Sequence, residues 1–121
     1  MKVLMAEDGQ EMRCWLAELV RNKGHQPLQA ANGQEALDLL VQHLDVGLIV
    51  LDLVMPVKTG LDFLVEARAA GLLKAPVYVL SGYDPAWASA SGIAGFLPKP
   101  VLKEEFESVL EAAALTQPAL K

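Results

Sequence analysis

Four islands of reactive side chains each stand directly after a short apolar run. The acidic pair Glu7-Asp8 follows KVLMA, Asp52 follows LIVL, Ser81 follows PVYVL, and Lys99-Pro100 follows GFLP. Such runs read as buried strands, and an α/β sheet places its chemistry at the carboxyl ends of its strands. If the strands run parallel, all four islands meet at one edge, giving three carboxylates, a hydroxyl and an ammonium in one small site. Crowded carboxylates repel one another, and a hard divalent cation with oxygen ligands relieves that repulsion. Mg²⁺ suits the set because it binds through few carboxylates, keeps waters and accepts a phosphoryl oxygen. The predicted chemistry is therefore metal-assisted binding of a phosphoryl group.

The elements that must position these groups form five strand-then-helix units. Lys2 to Ala6 is the first strand, followed by a helix over 10–23 with Met12, Leu16, Leu19 and Val20 at three-to-four spacing and Gly24 as its stop. Pro27 to Ala30 is a short strand expected at an edge. Asn32 is an N-cap with Glu35 three positions on, opening a helix whose apolar side is Ala36, Leu39, Leu40 and His43. Gly47 to Leu51 is the central strand. The third helix runs from Gly60 to Ala70, turns Leu61, Leu64 and Val65 inward, and ends at Gly71. Val77 to Leu80 is the fourth strand. Asp84-Pro85 caps a fourth helix, AWASAS, which is short and ends at Gly92. Gly95 to Leu97 is the fifth strand, residues 103–114 form the last helix with Phe106, Val109 and Leu110 inward, and Thr116 to Lys121 is a frayed tail. Strands alternating with amphipathic helices imply a doubly wound parallel sheet covered on both faces.

The 121 residues fit one domain, residues 1–121, and 53% hydrophobic content leaves little room for disorder. A formal charge of −5 argues against direct nucleic-acid binding, which needs a basic patch. No segment reaches the roughly eighteen apolar residues of a membrane span and no leader precedes the first strand, so a cytoplasmic location without membrane insertion is expected. Met1-Lys2 lies flush against the first strand, which favours a natural start. Cys14 is the only cysteine, so no intramolecular disulfide or cysteine zinc cluster can form, and it reads as a small helix residue.

The ordered set of islands resembles the receiver domain of two-component response regulators over essentially the whole chain. The residues that carry the resemblance are Glu7-Asp8, Asp52 with Met55-Pro56 and Gly60, Ser81-Gly82, and Phe96 three residues before Lys99-Pro100. The resemblance implies the flavodoxin-like strand order 2-1-3-4-5. It also implies Mg²⁺ held by Asp8, Asp52 and the Val54 carbonyl, with Glu7 acting directly or through water. Asp52 would be the nucleophile that becomes an aspartyl phosphate, with Ser81 and Lys99 at the phosphoryl oxygens and Phe96 moving inward as the Ser81 hydroxyl is drawn to that group. The donor would be a histidine kinase or histidine phosphotransfer protein and the output an unidentified downstream protein. The domain would be no enzyme in its own right, though it promotes its own phosphorylation and dephosphorylation. The interval from Ser81 to Lys99 is shorter than the family pattern by about one helical turn, which truncates the fourth helix. The resemblance also implies that Val54 and Tyr83, two residues after Asp52 and Ser81, flank the path of an attacking water; neither is an acid or amide, so slow hydrolysis is expected.

Each island also has an ordinary reading. Asp52 alone could cap a helix or turn, Glu7-Asp8 could favour the positive end of a helix dipole, and Lys99 could be solvated surface. Phe96 could be a core aromatic, and Trp15 and Trp87 could be packing residues or anchors for a partner helix. His25 and His43 lie at no strand end and read as surface or helix-boundary residues. Alternative functions are a receiver cut from a hybrid kinase or transcription regulator, a degenerate receiver that only binds partners, and a phosphate-binding α/β enzyme.

Overall fold

The computed structural model describes residues 1–81, Ser81 by its backbone alone, and 93–116. The shortened fourth helix, Gly82, Tyr83, Trp87 and the tail after Thr116 lie outside the described residues. The described elements are β1 (Lys2–Ala6), α1 (Gln10–Asn22), β2 (Gln26–Ala30), α2 (Gly33–Gln42), β3 (Val46–Asp52), α3 (Gly60–Ala69), β4 (Val77–Ser81), β5 (Gly95–Pro98) and α4 (Lys103–Leu115).

Period-two alternation sends successive strand residues to opposite faces, and here both faces are apolar. Val3, Met5, Leu48 and Val50 pack with Leu16 and Val20 of α1 and Phe106 and Leu110 of α4. Leu4, Ala6, Ile49 and Leu51 pack with Ala36 and Leu40 of α2 and Phe63 and Ala67 of α3. The strands are parallel throughout, in the order β2-β1-β3-β4-β5. This is the expected flavodoxin-like order, with β2 at an edge. Among the described residues no helix is long and apolar enough to cross a membrane.

The Asn32 cap is present: its Oδ1 accepts from the Glu35 N–H at 2.8 Å, while Glu35 Oε1 accepts from the Ala31 N–H at 2.8 Å. At α3 the expected inward face is wrong. Leu64 is buried, but Leu61 and Val65 are 49% and 59% exposed, and Phe63 and Ala67 face the sheet instead. Gly60 sets this phase. A Cβ on it would lie 2.3 Å from the Asp52 carbonyl oxygen, so the first residue of α3 must abut the end of β3. At about 100° per residue, positions 60, 63, 64 and 67 share that face, while 61 and 65 turn away.

Trp15 is half-buried against the α1/α4 side of the core. The histidines lie at the opposite edge of the sheet from the reactive islands: His25 Nδ1 is 3.1 Å from the Met1 amino nitrogen, and His43 Nδ1 is 3.1 Å from Lys2 Nζ.

Candidate functional site

Parallel register brings the islands together. Ala6 pairs with Leu51, so Glu7 and Asp52 emerge side by side from β1 and β3. Asp52 belongs to β3 itself, which runs one residue further than expected, and pairs with Leu80; Ser81 ends β4 opposite Pro98, just before Lys99. The peptide bond between Lys99 and Pro100 is cis.

Asp52 and Glu7 are both only 4% exposed, and they are the two buried charged residues among those described. Burial of a carboxylate demands partners. Asp52 Oδ2 accepts from Lys99 Nζ at 2.8 Å and its Oδ1 accepts from the Val54 N–H at 3.1 Å. Glu7 Oε2 accepts from the Gly9 N–H at 2.9 Å, and its Oε1 lies 3.5 Å from the same ammonium. The Arg13 guanidinium donates to the Glu7 carbonyl at 2.8 Å. Asp8 is exposed at the mouth of the site, and one oxygen from each of Glu7, Asp8 and Asp52 falls within a 4.8 Å span.

Charge in this cluster is out of balance, with three carboxylates around one ammonium. Burial pushes the Glu7 pKa above its ordinary value, helped by the charge of Asp52 and a hydrogen bond with Asp8, against the opposing pull of the Gly9 N–H and Lys99. Burial works against charge on Lys99, but the carboxylates of Asp52 and Glu7 outweigh it and hold its pKa above that of a free lysine. A site whose burial disfavours charge on Glu7 suits a hard divalent cation, and the oxygen donors of Glu7, Asp8 and Asp52 fit one.

The structure thus assembles Glu7, Asp8, Asp52 and Lys99, with Val54 at the rim and 79% exposed. The Ser81 backbone is in place, while its hydroxyl lies outside the described side chains. Phe96 sits on β5 opposite Val79, half-buried against the α2/α3 side of the core, in neither a fully inward nor an exposed position. Arg13 escaped the sequence reading. Its only signal is a cation one turn into the helix after an acidic pair, and that pattern does not reveal that its target is a backbone carbonyl.

The family model described as the response regulator receiver domain matches residues 3–111. The transcriptional regulatory protein CpxR of Escherichia coli (strain K12) is 33% identical over 115 residues, which cover 92% of this chain and 48% of that protein. The chain therefore spans about half the length of the CpxR proteins it matches. A chemotaxis protein CheY homolog of Campylobacter jejuni is 31% identical over 120 residues, covering 91% of this chain and 92% of that one. Among solved structures, the receiver domain of the hybrid histidine kinase CckA superposes with a TM-score of 0.80 at 32% identity, covering 93% of this chain and 98% of that one.

Proposed function

This chain belongs to the response regulator receiver domain family, and on that premise we propose that it accepts a phosphoryl group on Asp52 from a phosphohistidine. The single observation that carries the reading is the setting of Asp52. It is buried at a strand end, bonded to Lys99 at 2.8 Å, and within a 4.8 Å cluster of carboxylate oxygens.

In the proposed step an Asp52 carboxylate oxygen attacks phosphorus. An O–P bond forms, the P–N bond to the donor imidazole breaks, and the imidazole leaves with the electron pair and is reprotonated from solvent. Catalysis of such a transfer is mostly positioning and charge neutralisation. Lys99 supplies a fixed ammonium beside the acceptor oxygen, where the equatorial oxygens gather charge. Ser81 Oγ is assigned to a second phosphoryl oxygen, and Phe96 is assigned to follow Ser81 inward, carrying the change to the surface. Because phenylalanine has no hydroxyl, its inward state rests on burial alone. Glu7, Asp8, Asp52 and the Val54 carbonyl would hold Mg²⁺, which when bound neutralises charge on the transferring oxygens.

The proposed donor is a histidine kinase or histidine phosphotransfer protein in the cytoplasm. Residues 1–121 are taken as one receiver unit. It could act alone, on the pattern of the CheY homolog of which it covers 92%, or within a longer chain, on the pattern of CpxR.

Incubation with acetyl phosphate and Mg²⁺ tests the reading by intact mass. Wild type should gain one phosphoryl group in a base-labile linkage, Asp52→Asn should gain none, and Asp8→Ala should require more Mg²⁺. Undiminished labelling of Asp52→Asn would overturn it.

A further inference from the structure

The loop over 53–59 leads from Asp52 into α3 and carries Val54, whose N–H bonds the acceptor carboxylate. In its middle Val57 has φ 67° and is 84% exposed, and the Lys58 N–H donates back to the Pro56 carbonyl at 2.7 Å. A bond of this reach across a positive φ marks a γ-turn of the rare, strained hand, and a β-branched residue is poorly suited to it. Such a conformation persists only where the surroundings hold it. The exposed Val57 side chain does not supply that hold.

The backbone does. Across the turn, the Gly60 N–H donates to the Leu53 carbonyl at 3.0 Å, tying the loop's two ends together. After it, the N–H of Gly33, the first residue of α2, donates to the Lys58 carbonyl at 2.8 Å. The approach is so close that a Cβ on Gly33 would lie 2.4 Å from the Lys58 carbonyl oxygen and 2.8 Å from that of Thr59. Both are main-chain atoms, which cannot swing aside as a side-chain tip could. Met55, buried between Val54 and the turn, leaves the loop little freedom to absorb a push.

We propose that Gly33 is a positioning residue: through the Lys58 carbonyl it braces the strained turn at Val57 and so sets Val54 against Asp52. The consequence for Mg²⁺ rests on the proposed function, in which the Val54 carbonyl is a ligand. The first residue of α2 thus governs where one wall of the site stands.

The test compares Gly33→Ala with Gly24→Ala. Gly24, at φ 82° with nothing within 4 Å of a Cβ, gives a variant strained at the end of α1 but without contact with the loop. In metal-free ¹H–¹⁵N spectra, the Val54 and Lys58 amides should shift in Gly33→Ala and stay in place in Gly24→Ala. Titrated with Mg²⁺ alone, Gly33→Ala should bind about tenfold more weakly, the range of a lost supporting contact at a metal site, while Gly24→Ala binds as wild type does. If Gly33→Ala fails to fold, wild type carries the question. Mg²⁺ should slow hydrogen exchange of the Gly33 amide and leave that of Gly24 unchanged, because coupling between two sites is reciprocal. An unmoved Val54 amide, equal affinity loss in both variants, or a Gly33 amide indifferent to bound Mg²⁺ would overturn the brace. A wild type that binds no Mg²⁺ would instead sink the metal reading, and the metal-free spectra would still decide the role of Gly33.

Discussion

Lys99 Nζ lies 2.8 Å from Asp52 Oδ2, joining residues 47 positions apart across the carboxyl ends of β3 and β5. The same ammonium stands 3.5 Å from Glu7 Oε1. One cation thus compensates two buried carboxylates, and it is the natural place to perturb the site.

Lys99→Ala should lower the stability of the metal-free protein by about 1–2 kcal/mol. Breaking a buried ion pair costs about 3–5 kcal/mol, and the lysine side chain is 35% exposed, so solvent screening reduces the loss. Mg²⁺ should narrow the gap to wild type, since a bound dication replaces the missing charge. Thermal unfolding in EDTA and in Mg²⁺ measures both effects. Equal stability in EDTA would mean that the carboxylates do not depend on Lys99.

Glu7 predicts a pH dependence. Its folded pKa is raised above the ordinary carboxyl value of 4.5, first by burial and then by the charge of Asp52. Between the unfolded and folded values the native state keeps a proton that the unfolded chain releases. Its contribution is therefore complete at acid pH and is lost as pH rises through the folded pKa. Metal-free Glu7→Gln should escape this decline and gain on wild type over the range from 4.5 up to the raised folded value. Parallel stability curves for the two proteins over that range would show that Glu7 titrates normally.

Val57→Gly should stabilise the protein by about 1 kcal/mol. Relief of a residue held at positive φ contributes about 1–3 kcal/mol, and the larger backbone entropy of glycine in the unfolded chain takes back about 0.5–1 kcal/mol. Urea midpoints at an unchanged m value give the answer. A lower midpoint would mean that the Val57 side chain contributes more than its 84% exposure suggests.

Under the proposed function, Val54 bears on the lifetime of the phosphorylated state. It is 79% exposed beside Asp52 and cannot hydrogen-bond a water in line with the O–P bond. Val54→Asn should therefore shorten the half-life of phosphorylated protein in Mg²⁺ severalfold. Decay no faster than wild type would show that water access at this position does not set the rate.

Much of this was legible from residue order. Apolar runs ending in Glu7-Asp8, Asp52, Ser81 and Lys99 announce parallel strands with chemistry at one edge, because the first polar side chain after an apolar run marks the strand's carboxyl end. The Asn32 and Glu35 pair announces the start of α2, because capping is a contact between residues three apart. What the tertiary structure alone decided is phase and approach. α3 offers Leu61, Phe63, Leu64 and Val65 on nearly every side, so its periodicity does not say which face is buried; the contact of Gly60 with the Asp52 carbonyl does. Neither the Arg13 bond to the Glu7 carbonyl nor the Gly33 bond to the Lys58 carbonyl leaves a pattern of side chains to read. Each ends on a main-chain oxygen, which every residue carries, so only the meeting of distant segments selects which oxygen it is.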